Sequence, residues 1–328
     1  MDDPSGAPYA TLGPELILDA LEDQGHATDG RILALNSYEN RVFQIGCEGG
    51  QAVIAKFYRP GRWSDAQIQE EHAFCHELAT QELPVVTPIQ NARGNSLFEF
   101  KGFRFAVYPR RGGRAPELGN LDNLLVIGRL LGRMHAIGAV QAFEHRPRLD
   151  SQSFGHDSIA LISEQFIPAD LKTPYDTLTA DVMAGVDEAM RDCDPSQYIR
   201  LHGDCHIGNM LWRDGGPHFV DFDDTRMAPA IQDIWMLLSG SRAEQTAQLA
   251  EIIEGYNEFF DFHPRQLRLL EALRSLRMLH YSAWLGRRWS DPAFPHNFPW
   301  FNTNRYWSEH ILHLREQLSA LREPPMQL

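Results

Sequence analysis

The sequence predicts an α+β fold in two lobes: an antiparallel β-sheet lobe first, then a mainly helical lobe. Three observations carry this. Short apolar, β-rich runs separated by polar turns fill residues 32–58 and 97–107. From about residue 120, apolar residues recur at helical spacing. Between them, Tyr108-Pro109-Arg110-Arg111-Gly112-Gly113 breaks both patterns, as Pro and Gly in a hinge would. A length of 328 residues supplies material for two lobes. The expected division is therefore 1–107, hinge 108–113, and 114–328.

Pro14 to about Leu21 reads as a short leading helix. Leu33 to Ile45 reads as strand, polar turn, strand. Gln51 to Tyr58 is an apolar, β-branched run carrying one lysine, Lys56. Ser64-Asp65-Ala66-Gln67 has the form of a capping box, so a helix should run to about Gln81 with Phe74 and Leu78 on its inner face. Residues 84–88 read as an extended link, and 97–107 as a hairpin turning at Lys101-Gly102. Leu124, Ile127, Leu131, Met134 and His135 mark a helix, and 231–238, 244–260 and 267–289 continue the helical theme. Residues 139–175, rich in Pro, Ser, Asp and His, yield no assignment. We find no internal repeat and no low-complexity tract.

The chemistry-bearing stretch is Leu201-His202-Gly203-Asp204-Cys205-His206-Ile207-Gly208-Asn209, followed by Phe219-Val220-Asp221. H-x-D-x-x-x-x-N and a later Asp at the end of an apolar run is the spacing used for phosphoryl transfer. Transfer needs positioning and charge neutralisation more than covalent chemistry. Asp204 would accept the proton of the attacking hydroxyl. Asn209 to Trp212 and Pro217 to Asp221 read as strands joined by a turn at Arg213-Asp214-Gly215-Gly216. Such a hairpin would bring Asn209 and Asp221 together as hard oxygen ligands for magnesium. Gly208 is expected to turn the backbone before Asn209. A zinc site is the weaker reading, because Asp204 and His206 stand two residues apart without H-E-x-x-H or paired C-x-x-C.

A nucleotide site is then required upstream. Lys56 sits in a strand like the one whose lysine binds α/β-phosphates. Glu71 shares a helix face with Phe74 and Leu78 and is the expected carboxylate partner of Lys56; Glu70 is the rival and Glu77 a more distant one. The alternative leaves Lys56 exposed and Glu71 solvated. The loop at 36–40 lacks G-x-G-x-x-G, so Ser37 is expected to contact phosphate. Adenine would lie against the backbone near Phe105 to Tyr108.

Composition narrows the class. The formal net charge of −14 disfavours nucleic acid and anionic membranes and is compatible with a cationic small substrate or a basic protein segment. No run of about 18 apolar residues exists, so no membrane span is expected. The beginning of the chain, with Asp2-Asp3, lacks a signal-peptide pattern. Cys47, Cys75, Cys193 and Cys205 are scattered and read as reduced thiols of a cytosolic protein.

On these residues the chain resembles the aminoglycoside phosphotransferase, choline kinase and homoserine kinase superfamily. Three segments are similar to a bacterial family within it, the stress-response kinases: Leu35 to Val42, Lys56 to Pro60, and Asp291-Pro292-Ala293-Phe294-Pro295-His296-Asn297-Phe298-Pro299-Trp300. The resemblance spans nearly the whole chain. It implies a bilobal, protein-kinase-like fold and a cytoplasmic, ATP- and magnesium-dependent serine/threonine protein kinase; a monomer is the expected oligomeric state. Carried over, Asp204 is the proton acceptor, Asn209 and Asp221 hold Mg2+, Asp221 also belongs to the catalytic set, and Ser37 and Lys56, with Glu71, serve ATP.

Departures from ordinary protein kinases matter. Gly203 replaces the Arg of H-R-D, so the common pairing with an activation-loop phosphate is expected to be absent. Asp221-Phe222-Asp223-Asp224 stands where D-F-G would be; Asp223 and Asp224 read as a solvated acidic turn, with a part in the metal or acceptor site as the alternative. Asp233 is expected to hold the catalytic loop by accepting backbone N–H bonds. The A-P-E motif is missing. Tyr281, Trp284, Trp289, Phe294, Phe298, Trp300, Phe301 and Trp307 read as core packing, with a cage for a quaternary ammonium as the alternative. Arg287-Arg288 would flank a helix end or bind an acidic acceptor. Three functions remain open: protein kinase, kinase of an amino alcohol, amino acid or sugar, and nucleotide-binding module without turnover.

Overall fold

In chain order, a computed structural model shows α1 (Pro14–Asp23), β1 (Thr28–Ala34), β2 (Arg41–Cys47), β3 (Ala52–Phe57), α2 (Asp65–Thr80), β4 (Phe98–Phe100), β5 (Phe103–Pro109) and α3 (Leu121–Gly138). The second half adds α4 (Asp157–Gln165), α5 (Ala169–Met190), β6 (Ile199–Leu201), β7 (Met210–Arg213), β8 (Gly216–Phe219), β9 (Arg226–Ala228), α6 (Ile231–Trp235), α7 (Arg242–Asn257), α8 (Leu270–Arg287), α9 (Ala293–Asn297) and α10 (Asn304–Leu321). The structure describes residues 8–191, 193–213 and 216–328. The reading of Asp2-Asp3 and the centre of the turn at Asp214-Gly215 lie outside the described residues.

The chain forms two compact units. One, the sheet unit, comprises the residues up to Pro116, Glu144–Arg146 and Ile207–Thr225; the other, the helical unit, holds Glu117–Phe143, Pro147–His206 and Arg226–Leu328.

The sheet unit is built on a five-stranded antiparallel sheet in the order β1-β2-β3-β5-β4. Ile45, Ala55, Phe57, Phe105 and Val107 bury one face beneath Ile17, Ala20 and Leu21 of α1. Phe57 stacks on Phe105 with centroids 5.2 Å apart. Each such ring contributes roughly 1.5–3 kcal/mol by leaving water. The hairpin turn falls at Lys101-Gly102, both with positive φ (47° and 85°), which fits a tight two-residue turn. The capping box forms as expected: Gln67 N–H donates to Ser64 Oγ, and Ser64 N–H donates to Gln67 Oε1. Phe74 and Leu78 are fully buried. The link at 84–88 is tied to β8: Val86 N–H donates to Phe219 O, and Phe219 N–H to Pro84 O.

In the helical unit α3 lies against α7 at glycine-permitted distance. A Cβ at Gly128 would stand 2.1 Å from Ile252 O, and one at Gly255 2.3 Å from Leu125 O. The segment without a sequence assignment contains a π-helical turn at Gln152–His156, all of α4 and the start of α5. Its loop pairs with β9, where Leu149 N–H donates to Met227 O. α10 places Trp307, Ile311 and Leu314 in the core against α5.

Candidate active site

Lys56 leaves β3 into a buried ionic cluster of the sheet unit, with only 7% of its side chain exposed. Its ammonium lies 2.9 Å from Asp221 Oδ1, 3.1 Å from Asp223 Oδ1 and 3.7 Å from Glu71 Oε1. Burial alone would push the ammonium pKa down. The carboxylates of Asp221, Asp223 and Glu71 outweigh that and hold it well above its ordinary value. The exposed-lysine alternative is therefore set aside.

Glu71 and Glu70 have separate tasks. Glu71 is buried and accepts from Arg146 Nη2 at 2.6 Å while facing Lys56. Burial pushes its carboxyl pKa up, and Lys56 and Arg146 oppose that. Glu70 instead accepts the backbone N–H groups of Glu144, His145 and Arg146 at 2.6, 2.9 and 2.7 Å. Arg146 completes the strap: Nη1 donates to Asp223 O, Nε donates to Gln67 O, and the guanidinium lies over the Trp63 ring.

Asp223 corrects the sequence reading. It is buried rather than solvated, with Lys56 and Arg62 as ionic partners, while Arg62 also reaches Asp224 at 2.9 Å. Burial raises its pKa, but Arg62 and Lys56 overcome this and bring it below the ordinary value. Neither Arg62 nor Arg146 emerged from the sequence. Their acidic partners stand far away in the chain, and no local spacing marks them.

Asp221 has φ of 59°, a left-handed conformation that non-glycine residues adopt at a cost of about 1 kcal/mol or more. It leaves 54% of its side chain exposed. Asn209 closes a short 3-10 turn at Ile207–Asn209, and its carbonyl accepts Val220 N–H at 3.0 Å. The β7–β8 ladder thus sets Asn209 and Asp221 at one end of a hairpin. One carboxylate oxygen beyond the one Lys56 takes, plus an amide oxygen, is a donor set of the kind magnesium shares with phosphates. Gly208 is not a positive-φ residue; the glycine of this loop that is, at 86°, is Gly203.

Ser37 is half-buried in the loop between β1 and β2. Asn40 anchors that loop by accepting Arg59 N–H at 3.0 Å. The backbone expected to meet adenine is largely engaged: Val107 O accepts Ile89 N–H at 2.7 Å, and Lys56, Ala55 and Ile54 pair with Ala106, Val107 and Tyr108. The ladder ends at Pro109.

In the helical unit β6 runs into the loop that begins at His202, and Asp233 holds the start of that loop. Its fully buried carboxylate accepts His202 N–H and Gly203 N–H, each at 2.9 Å. It also meets His135 Nε2 at 3.2 Å. Tyr256 O–H lies 2.9 Å from His135 Nδ1, so a proton on Nε2, donated to Asp233, satisfies the whole network. Gly203 takes a left-handed φ of 86°, a conformation that suits glycine at this point of the loop. Asp204 Oδ1 faces Arg277 of α8 at 2.7 Å, and Oδ2 faces His206 at 3.4 Å. Burial pushes its pKa up, but His206 and Arg277 prevail and hold it well below the ordinary carboxylate range. Cys205 is buried, and burial pushes its thiol pKa up, which disfavours a redox role.

The aromatic C-terminal residues pack on one another. Trp284 meets Phe294 and Phe298, Trp300 meets Phe301 and Tyr306, and Arg288 lies over the Trp284 ring. Arg287 and Arg288 lie at the end of α8, where Arg288 donates to Trp284 O.

Comparison with known proteins bears on the family and the fold. The sequence pattern of a family described as the phosphotransferase enzyme family matches residues 31–270. Stress response kinase A of Escherichia coli O157:H7 is 46% identical over 321 residues, covering 98% of this chain and 97% of that protein. A Salmonella typhimurium (strain LT2) protein named serine/threonine protein kinase RdoA is 44% identical over the same shares. Among solved structures, amicoumacin kinase hAmiN in complex with AMP-PNP, Ca2+ and Ami has a similar fold. Its TM-score is 0.72 at 20% identity, covering 94% of this chain and 93% of that one.

Proposed function

We propose that this chain, which belongs to the phosphotransferase enzyme family, transfers the γ-phosphoryl group of ATP to a serine or threonine hydroxyl of a protein. The observation that carries the reading is the Lys56 ammonium, buried and held charged among Asp221, Asp223 and Glu71. A fixed buried cation beside an exposed carboxylate suits a triphosphate and its metal. Lys56 would bind the α/β-phosphates, Glu71 would orient Lys56, and Ser37 would contact phosphate from the β1–β2 loop. Asn209 and Asp221 would hold Mg2+, which when bound neutralises phosphate charge. Asp204 would accept the hydroxyl proton as that oxygen bonds to the γ-phosphorus and the bond to ADP breaks. His202 and Gly203, anchored by Asp233, would fix the loop that presents Asp204.

The names of the two relatives support a protein acceptor and a role in stress response. The same reading takes the enzyme to be a cytoplasmic monomer with no nucleic-acid partner. Among the described residues no helix is long and apolar enough to cross a membrane. The second reading is a small-molecule kinase, favoured by the likeness to amicoumacin kinase, which was solved with a small-molecule ligand.

The test is γ-labelled ATP turnover with magnesium, comparing wild type with Asp204→Ala. One mix holds a generic protein acceptor, another a panel of amino alcohols and sugars. Label in protein or in the enzyme itself, lost in Asp204→Ala while nucleotide still binds, is the expected result. Label only in a small molecule moves the chain to the second reading. Undiminished transfer by Asp204→Ala refutes the assignment of the base.

A further inference from the structure

We infer that Arg277 selects the acceptor by charge, favouring a hydroxyl flanked by a carboxylate and rejecting one flanked by an amine or quaternary ammonium. The inference rests on Asp204 as the group that receives the acceptor proton, and adds what must surround that hydroxyl.

Both oxygens of Asp204 face cationic or potentially cationic groups, Arg277 at 2.7 Å and His206 at 3.4 Å. Arg277 projects from the middle of α8 with 44% of its side chain exposed, and Asp204 is its one ion-pair partner among the described residues. Arg274, one turn earlier, is committed elsewhere, to Glu271 and Gln245. His280, one turn later, stacks on Phe154 at 4.2 Å, and Arg226 lies over the same Phe154 ring at 4.8 Å. The two side chains that face the carboxylate that must meet the hydroxyl, Arg277 and His206, are therefore both basic.

To take the hydroxyl proton, Asp204 must turn an oxygen towards the acceptor. The Arg277 guanidinium then needs another counter-charge, and Arg cannot deprotonate to escape. A carboxylate beside the acceptor hydroxyl supplies it, with the planar bidentate geometry Arg favours. An ammonium in the same place would meet a like charge. At about 5 Å and an effective dielectric of about 50, suited to a half-exposed side chain, the difference between attraction and repulsion is on the order of a hundredfold. The formal net charge of −14 pulls the other way at long range. Screening confines that pull to approach, while contact with Arg277 is read at the site. The aromatic residues that could have caged an ammonium are spent on packing against one another and on Arg288.

The experiment uses the full chain with magnesium and γ-labelled ATP. The acceptors are a serine peptide flanked by Glu, the same peptide flanked by Lys, glycerate and ethanolamine. Wild type should prefer the acidic peptide over the basic one by about a hundredfold in kcat/KM. Arg277→Glu should invert that order, Arg277→Lys should keep it, and the KM for ATP should stay level in both. Label in glycerate but not in peptide, with the same dependence on residue 277, upholds the charge selection and overturns the protein acceptor. Labelled peptides whose ratio ignores Arg277→Glu overturn the inference alone, as does a change confined to the KM for ATP. Failure of the wild type to label any acceptor overturns both the inference and the phosphotransfer reading.

Discussion

Asp233→Asn isolates the anchor of the catalytic loop. The native carboxylate accepts two backbone N–H groups and faces His135, with no exposure to water. An asparagine whose oxygen stays at the Oδ2 position can still serve His202 N–H and His135. Its amide nitrogen then faces Gly203 N–H, donor against donor. The loss is one charge-assisted hydrogen bond, and a buried N–H is left unmet, at about 1–3 kcal/mol for the unmet group alone. The surviving bonds also lose the help of the charge. A total of about 3 kcal/mol is a large share of a typical stability of about 5–15 kcal/mol. For units of 150–250 residues, about 3 kcal/mol lowers the melting midpoint by about 6–12 °C. Calorimetry of wild type and variant reads this directly, and hydrogen exchange at the Gly203 amide should accelerate. Transfer should fall as well, because the loop bearing Asp204 loses its fixed start. A midpoint within about 2 °C of wild type together with unchanged transfer would refute the claim that Asp233 holds this loop.

The carboxylates of α2 and two buried histidines can be tested in the same way. Glu71→Gln removes the charge facing both Arg146 and Lys56, so the protein should lose about 3–5 kcal/mol of stability and bind ATP more weakly. Glu70→Gln should lower stability by loosening the 144–146 strap while leaving ATP affinity near wild type; equal losses of ATP affinity in the two variants would contradict the division of labour between them. Burial lowers the His72 pKa from 6.5 to about 3 and the His310 pKa from 6.5 to about 4. Each folded value lies below the unfolded one, so the stability of the neutral imidazoles is fully present above pH 6.5 and drains away as pH falls towards those values. At about 1.4 kcal/mol per pH unit, His72 alone accounts for up to roughly 4 kcal/mol between pH 6.5 and 3. Urea unfolding across that range should show a steeper decline for wild type than for His72→Gln, and parallel curves would speak against it.

Much of the sheet unit was legible because its signals are local. Short apolar, β-rich runs mark β2 and β3, Ser64 and Gln67 mark the start of α2, and the three-residue step from Glu71 to Phe74 places that carboxylate on the buried face. Asp233 could be foreseen because a loop entering at His202 must have its N–H groups satisfied by something. Arg146 could not be foreseen. It is one basic residue in a Pro- and His-rich segment, and its acceptors, Gln67, Glu71 and Asp223, are each more than 70 positions away. A separation of 161 positions hid Arg62 from Asp223 and turned a buried carboxylate into an apparent surface turn. α4 escaped notice because it begins from a π-helical turn, which shifts the apolar repeat away from 3.6 residues. α5 starts after Pro168 and carries Pro174 within it, two residues that ordinarily argue against a helix.

The chain crosses between its two units at 116/117, 143/144, 146/147, 206/207 and 225/226. Neither unit is consequently a cassette that recombination could exchange or a gene fragment could encode. A polypeptide stopped at Pro116 would carry Lys56, Arg62 and Glu71 but neither Arg146 nor Asp221, Asp223 and Asp224. Its ionic cluster would lose three carboxylates and one guanidinium, leaving Lys56 and Arg62 with only Glu71 and Glu39, and α2 would lose the three amides that Glu70 holds. The two units must therefore have been inherited, and must be tested, as one indivisible piece of sequence.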